Sequence, residues 1–362
     1  MFNSVYQGKR VLLTGHTGFK GSYLASWLSR MGAEVCAVAL APESSPAHWD
    51  LLSLPVESHL VDIRELAGLQ QIFTSFQPEM VFHLAAQPIV RLSYDIPVET
   101  FETNVMGTVN ILECCRRAPS LRAAVIVTSD KCYENREQSA GYIESDPMGG
   151  YDPYSASKGC CELVVSSYRR SFFNTADYGR KHQLLLASAR AGNVIGGGDW
   201  AKDRLVPDIM RAAAAGVAAK IRNPFATRPW QYVLEPLSGY LQLGAELFLG
   251  KCSAAGAWNF GPDADGVVSV GKAAEMLAEK WEDIKFVFDT PAEQPHEATL
   301  LQLDCSKAHE KLAWHGVLTP EEMFSFTAEW YREYYRNDRV ITGEQLDRYI
   351  ALAAERGLAW IN

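Results

Sequence analysis

The chain has no apolar run approaching the roughly 18–20 residues needed to cross a bilayer, and no low-complexity tract or internal repeat. Those absences point away from a membrane protein and from a repeat array. Basic charge is in deficit as well: 34 lysines and arginines face 43 acids, a formal net charge of −9. That balance argues against a general nucleic-acid binder but leaves room for a local cationic pocket. Cysteine is present without the spacing of a metal site. Cys36, Cys114, Cys115, Cys132, Cys160, Cys161, Cys252 and Cys305 include two adjacent pairs but no CxxC or Cys/His zinc pattern. Small buried thiols in a reducing cytoplasm are therefore expected, with no metal. The amino terminus is not of signal-peptide type either, since Lys9-Arg10 runs straight into the short apolar Val11-Leu12-Leu13.

What is present is an ordinary globular composition, 48% hydrophobic and 21% charged over 362 residues, enough for one large domain and a smaller lobe. Short apolar runs at 10–14, 34–40, 57–61, 80–85, 123–128, 184–190, 256–260 and 284–288 predict strands. Amphipathic stretches at 19–31, 64–76, 98–117 and 155–173 predict helices. This alternation predicts an α/β fold with a Rossmann-type doubly wound parallel sheet. Beyond Arg190 the pattern loosens around Gly196-Gly197-Gly198, Pro207, Pro224, Pro229 and Pro236. Residues 1–190 with 231–262 are expected to form the dinucleotide-binding domain, and 191–230 with 263–362 a smaller α/β substrate lobe.

Val11-Leu12-Leu13-Thr14-Gly15-His16-Thr17-Gly18-Phe19-Lys20-Gly21 reads as strand, glycine turn and helix. Gly15 suits the tight turn, Gly18 lets backbone approach a pyrophosphate, and Gly21 allows close helix–sheet packing. His16 and Lys20 are bulky for such a loop; they either contact phosphate or crowd it. The second strand ends without the acid that commonly reads the adenosine ribose, Glu43 being the nearest. No Lys or Arg occurs between residues 36 and 60, which favours NAD over NADP. Asp62, followed by Ile63, either accepts from the adenine amino group or caps the next helix. Leu84-Ala85-Ala86 would let a cofactor lie across the sheet edge.

The strand Ala124-Val125-Ile126-Val127 leads into Thr128-Ser129-Asp130-Lys131-Cys132-Tyr133, and Tyr154-Ser-Ala-Ser-Lys158 follows. Open α/β sheets bind ligands at the carboxyl ends of their strands, where Ser129, Asp130 and Lys131 should sit. Tyr154 and Lys158, spaced i,i+4, share a helix face. An ammonium beside the phenol would lower its pKa so that Tyr154 can take a hydroxyl proton, with Ser129 bonding the substrate oxygen. Asp130 and Lys131 add a second acid–base pair that a plain dehydrogenase does not need; the bland alternative is a turn cap and a surface charge. His83 reads as a core histidine, Trp230 as core packing, and Arg190 as either structural or pocket.

These motifs, with Arg190-Ala191-Gly192-Asn193-Val194-Ile195-Gly196, resemble the extended short-chain dehydrogenase/reductase family, in order and over most of the chain. Thr128–Tyr133, the run from Gly196 to Leu205 and the run from Arg228 to Tyr240 resemble its CDP-sugar 4,6-dehydratase branch. The dTDP-sugar enzymes carry Asp-Glu where this chain has Asp130-Lys131. The resemblance implies an NAD-dependent hydro-lyase acting on CDP-glucose, with Asn193 and Arg228 on the diphosphate. Arg204 is a further substrate-binding candidate, though a surface charge or lobe salt bridge would fit it equally. It also implies a homodimer, or a tetramer, built on helices near 98–117 and 155–173. Ketone formation at C4 acidifies the C5 proton, so elimination needs a base at C5 (Lys131) and an acid at C6 (Asp130). Both pKa values would then have to move toward neutrality.

Overall fold

The structure, a computed structural model, describes residues 1–138, 140–201, 204–263, 266–289 and 301–362. Its strands are β1 (Arg10–Thr14), β2 (Glu34–Ala39), β3 (Glu57–Leu60), β4 (Met80–His83), β5 (Ala123–Val127), β6 (Leu185–Ala191), β7 (Val194–Ile195), β8 (Ala219–Ile221), β9 (Thr227–Pro229), β10 (Gln231–Tyr232), β11 (Ala257–Phe260), β12 (Val267–Ser269) and β13 (Phe286–Phe288). Seven of them form one sheet in the order β11-β6-β5-β4-β1-β2-β3, every neighbouring pair parallel. Strands buried on both faces need no alternation, and β5 (Ala-Ala-Val-Ile-Val) and β6 are buried at every residue. One hydrophobic cluster covers each face of the sheet. The winding reverses between β1 and β4, and the crevice at that reversal is where such sheets take ligands.

The expected elements are found with shifted ends, and the shifts have local causes. β4 stops at His83 rather than 85 because Thr14 Oγ1 accepts from the Leu84 and Ala85 amides, both at 3.1 Å. The helix expected from 155 starts at Pro153, because Asp152 caps it by accepting from Ser155 N at 2.9 Å. The helix expected over 98–117 is interrupted by a π-turn at Glu102–Met106, which turns the buried Asn104 amide onto Ser157 Oγ at 2.8 Å.

In the second half the short strands pair across the chain, β9 with β12 and β8 with β13. The last helix, Thr342–Glu355, leaves that region. Its Tyr349 packs edge-on to Trp27, while Trp360 stacks on Phe2 at 5.2 Å. Part of the stretch expected in the substrate lobe thus lies against the nucleotide half.

Candidate active site

A cavity of about 1560 Å³ opens at the carboxyl ends of the central strands. Gly15, Gly18, Phe19, Lys20, Gly21, Asp62, Ile63, Leu84, Ala85 and Ala86 line one end of it. Ser129, Asp130, Lys131, Tyr154, Lys158, Asn193, Arg204 and Arg228 line the rest. Lys202 and Asp203, within the motif read from Gly196 to Leu205, lie outside the described residues.

At the glycine end, space is made by missing side chains. Gly15 has φ +82°, and a Cβ there would lie 2.7 Å from Ala85 N. A Cβ on Gly21 would lie 2.0 Å from the Gly15 carbonyl oxygen. Neither position admits a side chain, so backbone and the start of helix Phe19–Arg30 face the cavity. This cradle fits the pyrophosphate of a dinucleotide.

His16 departs from the expectation of a bulky cation beside phosphate. It is absent from the cavity lining; its ring is fully buried, bonded through Nε2 to Ser58 Oγ at 2.7 Å and edge-on to Trp49. Burial pushes its pKa down to about 4, so it sits beneath the loop as a neutral packing group. Lys20 does reach the cavity, 5.9 Å from the Tyr240 ring centroid. Burial is the main cause lowering its pKa to about 7; Asp130 opposes this, while Arg204, Lys158 and Lys131 add to it.

Asp62 does not cap the following helix, whose first turn starts after Glu65. It accepts instead from Arg64 N at 2.8 Å and pairs with the Arg64 guanidinium, which holds its carboxyl below the usual range. His83 is a core histidine, bonded to Thr14 Oγ1 at 2.7 Å. Trp230 is buried and donates to the Val268 carbonyl at 3.1 Å.

The catalytic candidates converge. Asp130 is buried, and Ser129 Oγ donates to its Oδ1 at 2.9 Å. Lys131 Nζ approaches the same oxygen at 3.3 Å. Ser129 and Tyr154 line the same cavity, and the Ser129 hydroxyl also accepts from Lys131 N at 3.2 Å. The expected lowering of the phenol is not seen in this arrangement: burial pushes Tyr154 up, and the Asp130 charge adds to that. Lys158 is buried next to the end of β5, its Nζ 3.5 Å from the Val127 carbonyl, and burial lowers its pKa. Gly192 is needed at the end of β6, because a Cβ there would meet Asp130 Oδ2 at 2.9 Å. Arg204 is anchored by Asp199 at 2.8 Å.

Arg190, left open by the sequence, is structural. It pairs with Glu162 at 2.7 Å, both side chains only 4% exposed. Sequence reading missed Glu162, although an acid four residues past Lys158 on an apolar helix face was a usable signal. It also missed the rest of the loop after Glu43, Ser44 to Ala47, and the cations Lys220 and Arg222, all lining the cavity. Among the described residues, Cys36, Glu57 and His59 bring ligand atoms within 4.8 Å of one another outside this cavity, a grouping invisible in the linear spacing.

A glycine cradle at the sheet's switch point, with Ser129, Tyr154 and Lys158 beside it, defines an enzyme of the extended short-chain dehydrogenase/reductase class. More narrowly, the chain belongs to the GDP-mannose 4,6 dehydratase family, whose sequence model matches residues 12–327. It is 48% identical over 339 residues to a CDP-glucose 4,6-dehydratase of Salmonella typhimurium, covering 93% of this chain and 94% of that one. The fold resembles that of a UDP-glucose 4-epimerase from Thermus thermophilus solved with NAD, with TM-score 0.75, 24% identity, and 89% and 99% of the two chains covered. An epimerase of Methanothermobacter thermautotrophicus aligns with TM-score 0.79 and 23% identity, over 93% and 96% of the chains.

Proposed function

We propose that the chain converts CDP-glucose to CDP-4-keto-6-deoxyglucose, a redox-neutral loss of water in which NAD is recycled. The observation that carries this reading is the Asp130–Lys131 pair beside Tyr154 and Lys158, in a chain 48% identical to an enzyme of that name. When bound, NAD accepts hydride from C4 and gives it back at C6.

The residues then have separate tasks. Tyr154 takes the C4 hydroxyl proton, with Ser129 bonding the oxygen. Lys131 removes the C5 proton, acidified by the C4 ketone, while Asp130 protonates the C6 oxygen and water leaves. Lys131 returns its proton to C5 as C6 is reduced. The tally is one proton gained by Tyr154 and one lost by Asp130. Ser129 Oγ, which donates to Asp130 Oδ1 at 2.9 Å, stands beside the group that must regain its proton.

Lys131 Nζ lies 3.3 Å from Asp130 Oδ1, so one proton moved between them gives the neutral acid and neutral amine that the two tasks require.

The diphosphate fits near Asn193 and Arg228, with Arg204 held ready by Asp199. Residues 191–230 with 266–289 would form the cap over the nucleotide sugar. A homodimer is supported by Val98, Met106 and Leu163, which are 70%, 51% and 61% exposed on neighbouring helices. Ile111, Leu112 and Val165 on the same helices are buried within the monomer. Eight free thiols, and no helix of the described residues long and apolar enough to cross a membrane, support work in the cytoplasm.

The test is incubation of the purified protein plus NAD with CDP-, dTDP-, UDP- and GDP-glucose, following the alkaline absorbance of the keto sugar. Ketone from CDP-glucose first and fastest is expected. An isomer without ketone would make the protein an epimerase and end this reading.

A further inference from the structure

Glu162 lies eight residues beyond Tyr154 and four beyond Lys158, on the same helix face and below the cavity. Its carboxylate is buried yet fully engaged. Oε1 accepts from Thr128 Oγ1 at 2.5 Å; Oε2 accepts from Ser188 Oγ at 2.8 Å and from Arg190 at 2.7 Å. The other arm of Arg190 donates to Tyr133 Oη at 2.6 Å and to the Glu144 carbonyl at 3.2 Å, and its guanidinium lies 4.8 Å from the Tyr133 ring centroid. Tyr133 Oη donates onward to Asn259 Oδ1 at 2.7 Å.

Thr128 and Tyr133 are the residues on either side of Ser129-Asp130-Lys131-Cys132. The pair therefore grips the catalytic turn at both ends, and Glu162 belongs to the helix that carries Tyr154 and Lys158. A buried ion pair is a poor device for stability alone, because desolvation cancels much of its attraction and apolar replacements often serve as well. Its directional bonds do fix register. Turn and helix must stay matched here, since Tyr154 and Lys158 act from the helix while Ser129, Asp130 and Lys131 act on the same sugar from the turn.

We propose that Glu162 and Arg190 are positioning residues that hold the Ser129–Cys132 turn in register with the catalytic helix. The turn is thereby kept at its working distance without touching substrate. The activity arm of the test rests on the dehydratase reading; the exchange arm does not.

The experiment compares the full chain with Glu162→Gln/Arg190→Met, which removes both charges together, and with Glu162→Asp, which keeps the charge but withdraws it by one methylene. Thermal unfolding of the double variant is expected within a few degrees of the parent. Amide hydrogen exchange over residues 128–133 should quicken roughly tenfold or more, while β1 and β4 keep their protection. With CDP-glucose and NAD, kcat should fall about 30-fold or more with KM little changed, since misplacement by about 1 Å is enough for such a loss. Reduced nicotinamide should accumulate as elimination lags behind C4 oxidation.

Glu162→Asp should show the same pattern more mildly, and it decides the matter if the double variant does not fold. Parental exchange and kcat in a folded variant overturn the proposal. So does uniform loosening of the whole chain, which marks ordinary stabilisation. If the parent itself makes no ketone from CDP-glucose, the dehydratase reading fails, and local exchange still decides the positioning role.

Discussion

At the β1 end of the cavity, Gly15 and Gly21 exclude any side chain, and the one histidine in the loop is buried and neutral. At the β5 end, Asp130, Lys131, Tyr154, Lys158 and Arg204 face a common space, underpinned by the buried Glu162–Arg190 pair. Apart from Lys20, the first region works through shape: backbone must come close to a charged ligand, and a side chain at Gly15 or Gly21 can only obstruct it. The second works through proton positions, so each group's value depends on its neighbours. The two ends should therefore fail differently, one in cofactor affinity and the other in chemistry with affinity intact.

The largest effect is expected from Lys131→Ala. Dehydration should drop by roughly 10³-fold, within the range for loss of a positioned base, while NAD affinity stays near the parental value. Solvent deuterium should cease to enter C5, yet some reduced nicotinamide should still form from CDP-glucose, because Tyr154 and Lys158 remain. Deuterium uptake at the parental rate would remove Lys131 as the base and blur the division between turn and helix.

Gly15→Ala tests the opposite end. The residue sits at φ +82°, and its new methyl would lie 2.7 Å from the Ala85 amide nitrogen. Strain of about 1–3 kcal/mol is expected, read as a lower melting temperature and roughly tenfold or more weaker NAD binding by titration. Saturating NAD should restore much of the turnover. A defect in kcat that NAD cannot repair would mean that the glycine loop also shapes the catalytic end.

The same contrast explains what the sequence made legible. Glycine spacing, the apolar strands and the i,i+4 pair Tyr154/Lys158 are local patterns, and local patterns survive in one dimension. Strand and helix ends were the weaker part: Thr14 and Asp152 set them through side-chain bonds to backbone that propensity does not register. The Glu162–Arg190 pair was hidden because its partners lie 28 residues apart and each looks like an ordinary charge. The state of His16 was hidden for a related reason. Its environment is made by Ser58 and Trp49, supplied from outside the loop.

His16 gives the smallest predicted effect and the finest test of the comparison. A histidine with an ordinary pKa of 6.5 is lowered by burial to about 4 in the folded chain. Above pH 6.5 it is neutral folded or unfolded and contributes no pH dependence. Between 6.5 and 4 the unfolded chain binds the proton and the folded chain does not, so stability falls as pH falls; below 4 the loss levels off. At about 1.4 kcal/mol per pKa unit, the loss attributable to this residue is at most roughly 3.5 kcal/mol. His48 and His83, both lowered to about 3 by burial, add losses in the same direction, so the informative quantity is the difference between parent and variant. His16→Gln should melt at a nearly constant offset from the parent above pH 6.5, and the parent should lose stability faster than the variant from 6.5 down to 4. Parallel curves would mean that His16 takes up its proton in the folded state. The glycine end would then carry a second titrating group besides Lys20, and the line between a region governed mainly by shape and one governed by protons would have to be redrawn to include it.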